Sequence, residues 1–180
     1  MIYKIRPYVN KAILLTLYYS LIYPHLIYGL EAWGNACPTF MNKILILQKR
    51  VVRAILHKDK RNEDYSFPPS NPMFIELKIM KIHNIFKNKL LVFVFKSINN
   101  LLPTTFCNWF HWAVNIHSHQ TRFAHNNNLY LPRVKTSHYG LKSIKYTGPK
   151  LWNNLTNNLK TIRELFEFCK ITKENLLSSS

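Results

Sequence analysis

Apolar residues crowd the first thirty positions and leave almost no polar face. Between Val9 and Tyr28 they lie nearly all round a helical wheel, which predicts a helix enclosed by other parts of the chain. Pro24 is expected to kink it, because Pro removes a backbone donor and clashes with the preceding turn. Gly29 and Gly34 bracket its end, and Cys37-Pro38-Thr39 reads as a turn. A second helix is predicted over Phe40 to Leu56. Ile44, Leu47, Val51 and Ile55 recur at steps of three and four, the spacing of one helical face. Lys43, Arg50, Arg53 and His57 share a neighbouring face. The first helix is expected to dock its apolar residues on the stripe of the second.

His57 to Pro69 is polar and then Pro-rich, the composition of an exposed loop. Asn71, Pro72 and Glu76 read as N-cap, first helical position and acidic first turn of a third helix. Ile79, Ile82, Phe86, Leu90 and Phe93 form its stripe, and Asn99-Asn100 and Pro103 end it. Ser97 to Gln120 carries no charge and reads as an irregular connection. Leu129 to Val134 and Leu141 to Tyr146 are strand candidates around a turn at Ser137 to Gly140, with Pro132 confining the first to an edge. Gly148-Pro149 is expected to open a short helix bearing Leu151, Trp152 and Leu155. Thr161 and Glu164 have capping-box spacing ahead of a last helix with Leu165, Phe168, Cys169, Thr172 and Leu176. The expected fold is mainly α: a helical bundle with a small β-hairpin (129–146) and C-terminal helices. Its expected parts are 1–60, an exposed loop at 61–71, and a downstream helical region over 72–180.

Charge changes the picture. Of 180 residues, 25 are Lys or Arg and 8 are Asp or Glu, a net charge of +17. No acid occurs between Glu76 and Glu164, where thirteen Lys and Arg do. A solvated face mixes both signs, so this imbalance points to a polyanionic partner, nucleic acid. With 14% aromatic residues and 4 glycines, collagen-like and low-complexity classes are excluded. The 3 cysteines, far apart and odd in number, give no disulfide framework. The polar N-terminus does not read as a signal peptide, so a nuclear or cytoplasmic rather than secreted chain is expected. Ala12 to Leu30 nearly reaches the length of a bilayer span, but Thr16, Ser20, Pro24, His25 and the tyrosines interrupt it, and no membrane association is expected.

Candidate chemistry is sparse. Asp59, Glu63 and Asp64 form the one acidic cluster, beside Lys58, Lys60 and Arg61. Asp64 followed by Glu76-Leu77-Lys78 loosely mimics the Asp…Glu-x-Lys pattern of a nuclease family. There the Glu and Lys sit on a strand, whereas here they open a helical pattern. His111, His117, His119 and His125 with Cys107 raise zinc, but lack the two tight pairs that structural zinc usually needs. No nucleophile signature or Gly-rich phosphate loop is present. The sequence therefore predicts no catalytic site, cofactor or small-molecule substrate. It does interleave cations with rings: Arg133, Lys135, Tyr139, Lys142, Lys145, Tyr146, Lys150 and Trp152. Trp152, between Leu151 and Leu155, reads as core.

Four segments in order carry a family resemblance. They are LYYSLIYPHLIYGLEAWGNA (Leu17 to Ala36), ILQKRVVRAI (Ile46 to Ile55), KSINNLLP (Lys96 to Pro103) and LYLPRVKTSHYGLKSIKYTGPKLWNNL (Leu129 to Leu155). Together they resemble the C-terminal part of non-LTR (LINE-type, jockey-like) retrotransposon reverse transcriptases. The resemblance implies that the first two helices are thumb-like, with a helix beside the template–primer duplex. Lys43, Lys49, Arg50 and Arg53 match the basic run of the family's ILQK-type helix. Trp33, Gly34, Trp152 and Asn153 match WG and LWN elements expected to be structural. Thr156 replaces the usual Pro after LWNNL, and Phe168-Cys169-Lys170 replaces Phe-Lys-Lys. The family's palm aspartates lie upstream of these segments. The expectation is a truncated, non-catalytic fragment of an RNA-directed DNA polymerase that contacts an RNA–DNA hybrid or duplex backbone through Lys43, Lys49, Arg50, Arg53, Arg133, Lys135, Lys142, Lys145 and Lys150. The alternatives are an inert remnant of a decayed element and, more weakly, a small nuclease.

Overall fold

The computed structural model describes residues 2–35, 37–58, 61, 65–116, 123, 126–136 and 139–178. These are mainly helical and fall into two compact units, Met1–Phe86 with Leu176–Ser180, and Lys87–Asn175. The division lies inside a helix and not at the polar loop. Residues just after that loop, Met73, Phe74, Leu77 and Ile79, are buried in the first unit's core, which holds them there.

In the first unit, α1 (Ile2–Ile5) precedes a continuous helical run made of α2 (Lys11–Leu17), a π-helical turn (Tyr18–Ile22) and α3 (Tyr23–Ile27). Asn10 caps α2 by accepting from Ile13 N at 3.0 Å. The wide π turn lies just ahead of Pro24, where the expected kink would be. A Pro cannot donate to the preceding turn, and inserting one residue into the ladder absorbs that loss. Gly29 at φ +58° turns the chain into α4 (Leu30–Trp33). Gly34 then sits so close under Phe86 that any Cβ would enter that ring, which gives the WG element its structural role.

Helix α5 (Pro38–Ile55) docks on the first run as expected, but through a rotated face. Leu14 and Tyr18 pack with Val52, Ala54 and Ile55, whereas Leu47 of the expected stripe is 57% exposed. The face is centred on Gln48, a polar residue only 2% exposed. Its Nε2 donates to Tyr18 Oη at 3.0 Å and to Met80 O at 2.8 Å, and its Oε1 accepts from Ile82 N at 2.9 Å. Every amide proton is therefore used, which makes burial of the group tolerable.

The single third helix expected from Asn71 is two helices, α6 (Asn71–Glu76) and α7 (Ile82–Ile98), with Ser70 rather than Asn71 at the N-cap position. Lys78 takes φ +53° between them, with Lys78 N bonded to Ile75 O and Ile79 N to Phe74 O, a Schellman stop. The same pattern ends α5 at His57 (φ 55°) and α7 at Asn100 (φ 55°). None of these stops uses the glycine that normally signals one.

The second unit gathers Leu91, Val94, Phe95, Phe110, Leu129, Trp152 and Phe168 into one core. It continues α7 and adds α8 (Thr104–Cys107), a 3-10 turn (Ala113–Asn115), α9 (Ile144–Asn153), α10 (Asn157–Lys160) and α11 (Leu165–Ser178) as far as Asn175. The expected β-hairpin is absent among the described residues. The extended segment after Asn128 pairs instead with 111–113, through Ala113 N to Asn128 O at 2.9 Å and Tyr130 N to His111 O at 2.8 Å. Its other edge is closed by a side chain: Asn153 accepts from Leu129 N at 2.8 Å and donates to Leu129 O at 2.9 Å. Both backbone groups of Leu129 are thus satisfied without a second strand. The expected second strand is a turn followed by the start of α9, capped by Ser143, so Gly148-Pro149 lies inside that helix and not at its start. Gly148 packs against Val94 and Phe110, where a Cβ would come within 3.0 Å of both side chains. The capping box is also not formed, because Thr161 Oγ1 donates back to Asn158 O at 2.9 Å.

Among the described residues no helix is long and apolar enough to cross a membrane.

Candidate nucleic-acid interface

The candidate cations belong to two separate groups, one on each unit. On the first unit, α5 turns Phe40, Lys43, Ile46, Leu47 and Arg50 outward. This exposure follows from the rotated docking: once Gln48, Val52 and Met41 face inward, the residues opposite them cannot. Lys43 Nζ lies 5.5 Å from the centre of the Phe40 ring, a cation–π contact that leaves its charge uncompensated by any carboxylate among the described residues. The Arg50 side chain has no hydrogen bond or ion pair to a described residue. Only its carbonyl is used, accepting from Tyr3 Oη at 3.3 Å. Arg6 lies over the Tyr3 ring at 5.2 Å, which brings a cation not anticipated from the sequence beside this end of α5. Lys43 and Arg50 are two turns apart on one side, about 10.5 Å along the axis.

Arg53 is placed differently. Its Nη2 donates to Pro68 O at 3.2 Å, and its guanidinium lies 4.8 Å from the centre of the Phe67 ring. Arg61 sits over the same ring at 5.3 Å. Arg53 therefore spends its side chain on the polar loop, although helical spacing puts it beside Arg50. Lys49 is half-buried near Lys81. Burial, and then the Lys49 charge, hold the Lys81 ammonium below its ordinary pKa, so an anion between the two would be stabilised.

On the second unit, Arg133, Lys135, Lys145 and Lys150 are exposed and Lys142 is half-buried. Lys145 Nζ stands 4.9 Å from the Trp109 ring centre and Lys150 Nζ 5.9 Å from that of Tyr146. These rings carry the chain's own lysines. Trp152 is core as expected, 2% exposed, with its indole N–H given to Asn127 O at 3.0 Å.

The catalytic alternatives gain no geometry. Glu76 accepts from Lys11 Nζ at 2.7 Å with Lys58 at 3.8 Å, and it ends a short helix rather than lying on a strand. Asp59, Glu63 and Asp64 lie outside the described residues, as do His117, His119 and His125. Among the described residues no group of three metal-ligating side chains occurs. Cys107 Sγ is turned to Leu102 O at 3.2 Å.

A different cationic site was not legible in the sequence. Lys160 is only 8% exposed, and its Nζ donates to Asn128 Oδ1 at 2.8 Å and Asn153 O at 3.1 Å. It lines a cleft together with Arg163. Lys160 lies among thirteen acid-free cations, and no spacing distinguishes it from the exposed ones. No family model, curated protein or solved structure matches the chain.

Proposed function

We propose that this chain is a non-catalytic, nucleic-acid-contacting part of a non-LTR retrotransposon reverse transcriptase, with α5 laid along the backbone of an RNA–DNA hybrid. The observation that carries this reading is the outward face of α5, where Lys43 and Arg50 are exposed and have no carboxylate partner among the described residues. Core packing does not require those charges, and a phosphate backbone does. A chain at +17 with this face uncovered gains counterion release on every phosphate it neutralises. The motif resemblance supplies the family and the thumb-like role. Two-metal polymerisation needs clustered acids, and the non-catalytic part of this reading rests on the eight acids of the sequence, of which Glu76 is engaged by Lys11.

The test is a salt titration of hybrid binding. Lys43→Ala with Arg50→Ala is expected to weaken binding and to lower the slope of log affinity against log salt by about 1.8, at about 0.9 for each phosphate no longer neutralised. Arg53→Ala is expected to leave the slope unchanged, because its guanidinium is held by Pro68 and Phe67. A folded double variant with the wild-type slope removes α5 as the contact face. A wild-type chain with no salt-dependent binding at all favours the inert remnant.

A further inference from the structure

The second unit contains a cleft of about 350 Å³ whose walls combine Trp112 and Trp152 with Asn127, Lys160 and Arg163. No carboxylate among the described residues lines it. Lys160 is nine-tenths buried there, yet both acceptors on its ammonium, the Asn128 amide and the Asn153 carbonyl, are neutral. One of its three protons has no acceptor among the described residues. Arg163 is exposed and has no partner among them, so its whole guanidinium fork remains unspent. Asn127 adopts φ 50° and gives its carbonyl to Trp152, while its side-chain amide makes no bond to a described residue. A buried cation with only neutral partners is costly, and an anion brought alongside offsets that cost. Burial also holds the Lys160 pKa below its ordinary value, a shift that a bound phosphate would reverse.

We propose that this cleft is a phosphate-binding site that takes a nucleotide, with its phosphate on Lys160 and Arg163 and its ring against Trp112. The volume is within the range of small-ligand sites, about 300–1,000 Å³. A planar guanidinium suits phosphate oxygens in pairs, and a lysine supplies a point charge behind them. Trp112 is half-buried, and its ring meets Trp152 edge-on at 6.5 Å, which fixes its plane. The Asn127 amide can both donate and accept, as the edge of a base requires. The site lies in the other unit from α5 and rests on different residues. The ligand can come from two sources, a free mononucleotide or one nucleotide of a single strand.

The test uses the full chain with adenosine monophosphate, adenosine, inorganic phosphate and a short single-stranded oligonucleotide, titrated by calorimetry. Adenosine monophosphate or the oligonucleotide is expected to bind, adenosine not to bind, and inorganic phosphate to bind more weakly than either. Arg163→Ala is expected to weaken the nucleotide ligand by at least about tenfold, the worth of a charge-assisted hydrogen bond. Lys170→Ala, an exposed cation on α11, is expected to leave affinity unchanged. Free nucleotide binding that depends on Arg163 identifies the first source, and strand binding alone with that dependence identifies the second. Affinities indifferent to Arg163 overturn the proposal, and so does inorganic phosphate binding as tightly as the nucleotide. Arg163 is exposed, so its replacement leaves the fold intact and the test does not require substituting the buried Lys160. Hybrid binding through α5 is read separately with Lys43→Ala and Arg50→Ala, so either reading can fail alone.

Discussion

Replacing Gln48 with Leu tests whether a buried amide organises the first unit. The substitution keeps roughly the same volume and removes both ends of the amide. Three groups then lose their partner: Tyr18 Oη, Met80 O and Ile82 N, in residues that are 0%, 6% and 0% exposed. Ile82 N is one of the first donors of α7, which has no earlier turn to bond to, so Gln48 acts as its cap from a neighbouring helix. Each stranded group costs about 1–3 kcal/mol, about 3–9 in all. Burying an added apolar side chain returns about 1.5–3 kcal/mol. The net loss is about 0–7.5 kcal/mol and centres on about 4, a large share of the 5–15 kcal/mol typical of a domain. Thermal unfolding followed by circular dichroism should show a fall in Tm of at least about 10 °C. Gln48→Glu provides a second readout. Burial raises the folded-state pKa of such a carboxyl, so the variant's stability is present at low pH and lost as pH rises beyond the ordinary carboxylate range. A Tm for Gln48→Leu within about 2 °C of wild type, or above it, would refute the hub.

Two further outcomes are expected. Asn153→Ala strips both partners from the Leu129 backbone and should cost about 2–6 kcal/mol in urea unfolding; a smaller loss than about 1 kcal/mol would mean that water replaces the amide. Glu76 is held below its ordinary pKa of 4.5 first by the Lys11 hydrogen bond, so the stability it contributes is present above that value and lost as pH falls through the lowered pKa. Lys11→Ala should move the Glu76 carboxyl resonance titration back toward 4.5, and no movement would show that the pair does not form in solution.

Periodicity by itself determined the mainly helical class, the docking of the first run on α5, and the core position of Trp152. These follow from spacing and apolar content, which act locally or along one face. It also put Lys43 and Arg50 on a single outward side, because seven residues make two near-whole turns. The ends of α5 after Leu56 and of α7 at Asn99-Asn100 fall where the sequence puts them, but the break at Lys78 was not legible. Lys78 takes a left-handed conformation that costs an ordinary residue energy, and only tertiary contacts such as the burial of Ile79 hold the chain in it. The hairpin was misread for a related reason. Leu129 to Val134 has a strand's composition, but one Asn side chain from α9, distant in sequence, meets the hydrogen-bonding need that a second strand would have met. Arg53 and Lys160 show the same limit for charge. Spacing gives a cation its side of a helix, whereas the loop carbonyl that captures Arg53 and the neutral acceptors that bury Lys160 come from segments brought near only by folding.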